Sequence, residues 1–245
     1  MRPPRHLLLR SALIAVAAVL AGPNLVAQAK DILATEKKLY SQGNEELIIR
    51  DFFQDQRDGF FVDVGCAWPV RNSTTFYLEE HLGWSGIGVD GLPDYGAWWE
   101  KARPRSKFFN FIVTDHSGPP ESFYRAGWPG LSSIKKGRIF GDREVKQFEI
   151  KIPATTLNNL LTKNSVERID LLSMDIEGAE LLALAGFEIQ KYAPKLVCIE
   201  VGEVARDQLL DYFKRNTYER IEKYVRHDPS NWYFTPKQQD SGKTE

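Results

Sequence analysis

The chain has 245 residues, 42% of them hydrophobic, enough for one core and one domain of ordinary size. Its 32 basic and 33 acidic residues leave a net charge of −1. With no long basic run, that balance argues against a nucleic-acid partner.

Residues 1–29 read as a separate object. Arg2, Arg5 and Arg10 precede an apolar stretch from Ser11 to Gly22, and Ala27-Gln28-Ala29 stands before Lys30. A basic start, a short apolar run and an A-x-A site form the pattern of a secretory signal peptide. The run is shorter than the roughly 20 residues of a membrane-spanning helix and stops at Pro23. Export to a secreted or periplasmic location is therefore expected. An uncleaved anchor is the alternative, and only then would the membrane be a partner. Cleavage would remove three arginines and no acid, leaving a net charge of −4. The expected organisation is one domain over residues 30–236 and a disordered polar tail over 237–245. Cys66 and Cys198 are too few for a disulfide framework and read as buried free thiols.

Lys30 to Asp58 is helical in pattern, with Leu47, Ile48, Phe52 and Phe53 facing inward. Ser41-Gln42-Gly43-Asn44 interrupts it as a turn, and Asn44 is placed to cap the next helix. Phe60-Phe61-Val62-Asp63-Val64-Gly65 follows. A short apolar run of this kind predicts a strand buried on both faces, the centre of a parallel sheet. Gly86-Ile87-Gly88-Val89-Asp90 predicts a second such strand. Between them Asn72-Ser73 signals a helix start. Asp94 is placed to cap a helix from Tyr95 to Ala102. Phe108 to Val113 predicts a third strand, with Asp115 at its end. Three successive strands would thus end at carboxylates, Asp63, Asp90 and Asp115, on the side where an open α/β sheet binds ligands.

Ser117 to Arg143 is long and rich in Gly, Pro and Ser. Its apolar anchors, including Trp128 and Leu131, predict an ordered lid. An edge strand over Gln147–Ile152 and a short helix capped by Thr155 or Thr156 come next. Ile169 to Met174 predicts a fourth strand, running into Asp175-Ile176-Glu177-Gly178-Ala179-Glu180. Lys195 to Val201 predicts a fifth, ending on Glu200. A helix from Val204 to Asn216 follows. Tyr218–Val225 and Trp232–Phe234 then read as a closing antiparallel hairpin turning at Asp228-Pro229.

Chemistry concentrates at the strand ends. An acid after the second strand can accept both hydroxyls of a ribose. The full G-x-G-x-x-G pattern is absent, since Cys66-Ala67-Trp68-Pro69 follows Gly65. That disfavours a pyrophosphate cradle, and with it a nicotinamide- or nucleotide-dependent enzyme. It weighs less against a phosphate-free nucleoside ligand such as S-adenosyl-L-methionine (SAM). Acids in a first helical turn are favoured by the helix dipole, which accounts for Glu180. Asp175 ends a buried strand, where desolvation is costly unless something pairs with it.

Four stretches resemble the FkbM-type SAM-dependent methyltransferases: residues 61–65, 83–90, Thr156-Leu157-Asn158-Asn159-Leu160-Leu161, and 169–180. The resemblance extends from about Ser41 to Phe234. It implies an α/β, Rossmann-like class I methyltransferase fold: a mainly parallel seven-stranded sheet with helices on both faces and a C-terminal antiparallel hairpin. It further implies that Gly65 lies against the methionine end of SAM and that Asp63 orders the first loop. Asp90 would accept the ribose hydroxyls and Asp115 the adenine amino group. Asp175 would lie near the transferable methyl. Where the family continues with a small-residue turn, this chain has Trp68-Pro69. Asp175, Glu177, Glu200 and His116 are the candidate bases for a hydroxyl acceptor. A small-molecule or glycan acceptor is expected, and no metal. Because SAM is made in the cytosol, the export signal motivates one rival reading: an exported binding module of the same fold that has lost its cofactor.

Overall fold

The computed structural model describes residues 29–137, 139–140, 143–202 and 205–238. The leader expected over 1–29 and the tail expected over 237–245 lie outside these residues, save for Ala29, Lys237 and Gln238. Helices α1 (Ile32–Thr35) and α2 (Glu45–Phe53) precede β1 (Phe60–Val64), α3 (Phe76–Leu82), β2 (Ser85–Asp90), α4 (Gly96–Ala102) and β3 (Ser106–Asn110). The chain then builds β4 (Ile112–Val113), β5 (Gly118–Ala126), β6 (Ile139–Phe140), β7 (Arg143–Glu144) and β8 (Gln147–Thr155). It continues through α5 (Leu157–Lys163), β9 (Leu171–Met174), α6 (Glu180–Ala185), α7 (Ile189–Tyr192) and β10 (Leu196–Glu200). It closes with α8 (Arg206–Arg215), β11 (Tyr218–Arg220), α9 (Glu222–Val225) and β12 (Asn231–Pro236). None of the described helices is long and apolar enough to cross a membrane.

The main sheet has seven strands in the order β3-β2-β1-β9-β10-β12-β11. β3, β2, β1, β9 and β10 are parallel, and β12 runs antiparallel to both its neighbours. The central strands are buried almost end to end, as their apolar runs require. Alternate side chains feed two cores. Phe61 and Leu171 pack with Ile48, Leu78 and Trp84 on one face, while Val62, Leu172 and Met174 pack with Leu157, Leu184 and Phe213 on the other. Helices therefore cover both faces, and the expected architecture is the one observed. Strand order reverses between β1 and β9, which opens a crevice beyond their carboxyl ends.

Several local expectations are corrected. The Phe108–Val113 run is two strands in two sheets. β3 stops at Asn110, and Ile112–Val113 turns to pair with Ala154–Thr155 of β8. Asp115 therefore does not end a strand of the main sheet. The segment Ser117–Arg143 is not a plain loop: β5 pairs along its length with β8 as an antiparallel arm. Asn44 stands at the N-cap of α2, but its amide donates to the His227 carbonyl at 2.8 Å instead of capping. Asp94 pairs with Arg125 at 2.7 Å, and a 3-10 turn over Pro93–Tyr95 leads into α4. The C-terminal strands β11 and β12 do pair, but α9 lies between them where a simple hairpin was expected. Both cysteines are free and buried, as predicted.

Candidate functional site

The crevice is framed by two tight connections. At the end of β1, Gly65 takes φ +81°, and its N–H donates to the Val89 carbonyl at 2.8 Å. A Cβ here would stand 1.8 Å from the carbonyl oxygen of Asp175. Glycine thus lets the turn after β1 lie against the turn after β9, as well as supplying the left-handed backbone. Asp63 sits beneath this loop. Buried, it accepts from the Thr75 hydroxyl at 2.7 Å, and burial pushes its carboxyl up to about 6. Arg103, fully buried, pins the same loop from outside. Its guanidinium donates to Glu79 at 2.7 Å, to the Pro69 carbonyl at 3.0 Å and to Thr75 at 3.1 Å. Nothing in the sequence marked Arg103, which reads there as one more surface arginine.

Asp90 closes the second side. Its Oδ1 accepts from the Leu92 N–H at 2.7 Å and its Oδ2 from the Ala67 N–H at 3.1 Å. Burial raises its carboxyl to about 6, against the lowering effect of those two backbone donors. Each oxygen keeps acceptor capacity for a further donor. Asn110 stands opposite Asp90 in the sheet, and its amide donates to the Asp90 carbonyl at 2.9 Å.

The third side is acidic. Carboxylate oxygens of Asp175, Glu177 and Glu200 lie within 4.8 Å of one another, close enough to share a proton or a single cation. The Asp175 carboxyl is pushed well above the ordinary range by desolvation, then by the charges of Glu200 and Glu177 and a hydrogen bond with Glu200. Glu180 takes the structural part expected of it. Its Oε1 accepts from the N–H groups of Ile176 and Gly178 at 3.1 and 3.0 Å, holding the turn that presents Glu177 at φ +58°.

The β5–β8 arm covers the crevice. Phe123 of β5 lies over Gly91, where a Cβ would approach the ring to 2.7 Å. From the turn after β5, Ser133 donates to the Glu177 carbonyl at 3.2 Å. The enclosed space is about 560 Å³ if all empty volume is counted, but only about 60 Å³ admits the centre of a water-sized sphere. It is a narrow slot, partly open to solvent.

Gly65, Asp90, Asp175 and Glu177 all line this slot, and Glu200 borders it through Asp175. Asp63 does not line the slot and instead accepts from the Thr75 hydroxyl. Asp115 is not in its wall: it pairs with His116 Nδ1 at 2.7 Å, and His116 Nε2 pairs with Glu121 at 2.5 Å. That network lies at the surface and holds His116 above its usual pKa through Asp115 first and Glu121 second. His116 is no part of the wall either. Sequence reasoning missed the apolar side, Phe111, Ile112, Val113, Phe123 and Ile134.

The slot fits the cofactor that the resemblance implies. It has an apolar side for a base, a preset carboxylate for a diol, and three lining carboxylates with no lysine, arginine or histidine among the described residues. A sulfonium and an ammonium would find several counter-charges there.

A family model described as "Methyltransferase FkbM domain" matches residues 56–227. A search of curated proteins gives no match. Among solved structures, the chain is similar to a TehB-like SAM-dependent methyltransferase from Corynebacterium glutamicum. The TM-score is 0.44 at 15% identity, covering 84% of this chain and 92% of that one. It is also similar to the METTL16 MTase domain, with TM-score 0.42, 9% identity and coverage of 80% and 67%. The match over most of the folded chain settles the family: this chain belongs to the FkbM methyltransferases, with S-adenosyl-L-methionine as its methyl donor.

Proposed function

We propose that this enzyme methylates a hydroxyl oxygen on a small-molecule or sugar acceptor. The carrying observation is the row of lining carboxylates, Asp90, Asp175 and Glu177, with Glu200 behind them. Asp90, oriented by the Ala67 and Leu92 N–H groups, receives the ribose hydroxyls. Phe111, Ile112 and Val113 supply the apolar face for adenine, in the place first assigned to Asp115. Gly65 borders the methionine end. When bound, SAM supplies an electrophilic methyl group on a sulfonium sulfur. Asp175, in the slot wall with Glu177 and Glu200 at hand, takes the acceptor's hydroxyl proton, and Glu200 shares it. The arm excludes water and holds the acceptor in line, a proximity contribution.

The pattern of residues 1–29 supports export of this domain. Mass spectrometry of the N-terminus from secreting cells tests it, and a chain retained in the cytosol from Met1 would refute it. The chemistry is tested by calorimetric titration of Lys30–Glu245 with SAM and with its demethylated product. Binding of both, followed by methyl transfer to a hydroxyl, is expected. A well-folded protein that binds neither would favour the recognition-module reading instead.

A further inference from the structure

The slot lies beyond the carboxyl ends of the parallel strands. The opposite end of the sheet, where those strands begin, carries a second and roomier cleft. About 400 Å³ of it admits the centre of a water-sized sphere, against about 60 Å³ in the slot. That falls within the range of ligand pockets, about 300–1,000 Å³. The cleft opens between the first residues of β1, β2 and β3 and the turn that follows α5. Its floor is apolar: Ile87 is buried, and Phe60 and Val166 are half-buried and packed against the main core behind them. Its rim is cationic. Arg105, Lys107 and Arg168 stand there exposed, against one carboxylate, Glu167.

Among the described residues Arg105 and Lys107 make no ion pair. Arg168 reaches only Asp170, at 4.0 Å, and Asp170 already pairs with Lys195 at 2.8 Å. The three cations are thus left to face an apolar hollow, which a merely solvated charged face would not have. The described chain also enters the domain at this end. The Lys30 N–H donates to Gln54 Oε1 at 2.7 Å, and Lys30 Nζ lies 3.7 Å from Asp55, in the connection that leads from α2 into Phe60. Residues 1–29, with the apolar run from Ser11 to Gly22, are therefore joined to the same end of the sheet as the cleft.

We propose that this cleft docks the domain on a bilayer by taking up one anionic phospholipid. The lipid's phosphodiester meets Arg105, Lys107 and Arg168, and its first acyl methylenes lie on Phe60, Ile87 and Val166. Guanidinium and ammonium groups hold phosphate oxygens through charge-assisted hydrogen bonds, and their methylene stems extend the apolar wall. Glu167 accepts from the hydroxyls of a glycerol headgroup. A bare phosphate would leave the apolar floor unused. A choline headgroup would bring a further positive charge to a rim that already has three. The chain's own apolar run, joined at this end, brings the cleft to the same surface. β1 is five residues long, so the docked lipid lies about 17 Å from the slot, which stays clear of the bilayer. The docking role does not depend on what the slot methylates.

The test is calorimetric titration of the full chain with dihexanoylphosphatidylglycerol, kept below its micelle concentration. Dihexanoylphosphatidylcholine and inorganic phosphate are the comparators. Saturable binding of the anionic lipid is expected, at least about tenfold tighter than either comparator. The double variant Arg105→Glu/Lys107→Glu should weaken it at least about tenfold. Arg168→Glu, outside the strands, should act in the same sense, and Lys107→Arg should keep most of the affinity. All these side chains are exposed, so melting temperature and SAM affinity should stay near those of wild type. Flotation with vesicles of equal parts phosphatidylglycerol and phosphatidylcholine carries the result to a bilayer. Where half of the wild-type chain floats, much less of the double variant should, residues 1–29 being common to both. Equal affinity for the choline lipid or for phosphate would overturn the proposal. So would undiminished lipid binding in the charge-reversed variants, or equal flotation. SAM titration of the same proteins reads the methyl-transfer site separately.

Discussion

Two backbone N–H groups, from Ala67 and Leu92, hold the Asp90 carboxylate in place before any ligand arrives. Its recognition of a diol therefore depends on its charge and acceptor count more than on its mobility. Asp90→Asn keeps the shape, halves the acceptor capacity and removes the charge. SAM affinity in that variant should fall at least about tenfold, and the melting temperature by a few degrees, since the new NH2 faces one of the two backbone N–H donors, both measured by calorimetry. A variant that binds SAM normally would remove Asp90 from the site. The raised pKa adds a pH dependence. Protonation at about 6 replaces one acceptor with a donor. At pH 5 roughly one molecule in eleven would be ionised, so SAM affinity should be about tenfold weaker than its plateau above pH 7. Stability moves in the opposite sense at this residue. The folded chain binds the proton more tightly than the unfolded chain, so acidification from 6 towards 4 favours the fold.

At the scale of elements, the β5–β8 arm decides whether the slot is closed. It reaches the opposite wall through Ser133 and Glu177, and through Phe123 lying on Gly91. A ligand between these contacts should hold the arm down. Trypsin cleavage at Lys135, Lys136 and Lys146 should slow several-fold on adding SAM, followed by gel and mass spectrometry. Equal cleavage rates would mean that the arm does not close on the cofactor. The arm was also the element least legible in the sequence. Its location as a cover was readable from length and apolar anchors, but Gly118-Pro119-Pro120 at the start of β5 reads as a break. By contrast β1, β2, β9 and β10 were legible because burial on both faces leaves a near-continuous apolar run. The same logic misled at Phe108–Val113, where only Asn110 interrupts the apolar run but the chain changes sheets at Phe111. Only the distant Ala154–Thr155 pairing dictates that change. Among site residues, Gly65, Asp90, Asp175 and Glu177 could be found from strand ends alone. The apolar wall and Arg103 could not, because their roles arise from tertiary contacts across unrelated segments.

For the whole molecule, the placement of β1 between β2 and β9 has a consequence for synthesis. β2 follows β1 closely, but the partner for its other edge, Leu171–Met174, comes only after the entire arm has been made. Until then the edge of Phe61-Val62-Asp63-Val64 offers unpaired backbone groups to any passing strand. A fragment of residues 30–168 should aggregate, or stay unfolded by circular dichroism, and should bind no SAM. A soluble, SAM-binding fragment would refute this. Since the Gly65 turn has no seat until the Asp175 carbonyl arrives beside it, a growing chain passes directly from having no pocket to having a nearly finished one. A ribosome-bound chain would therefore carry no cofactor with it, and the first SAM molecule must meet a protein already complete.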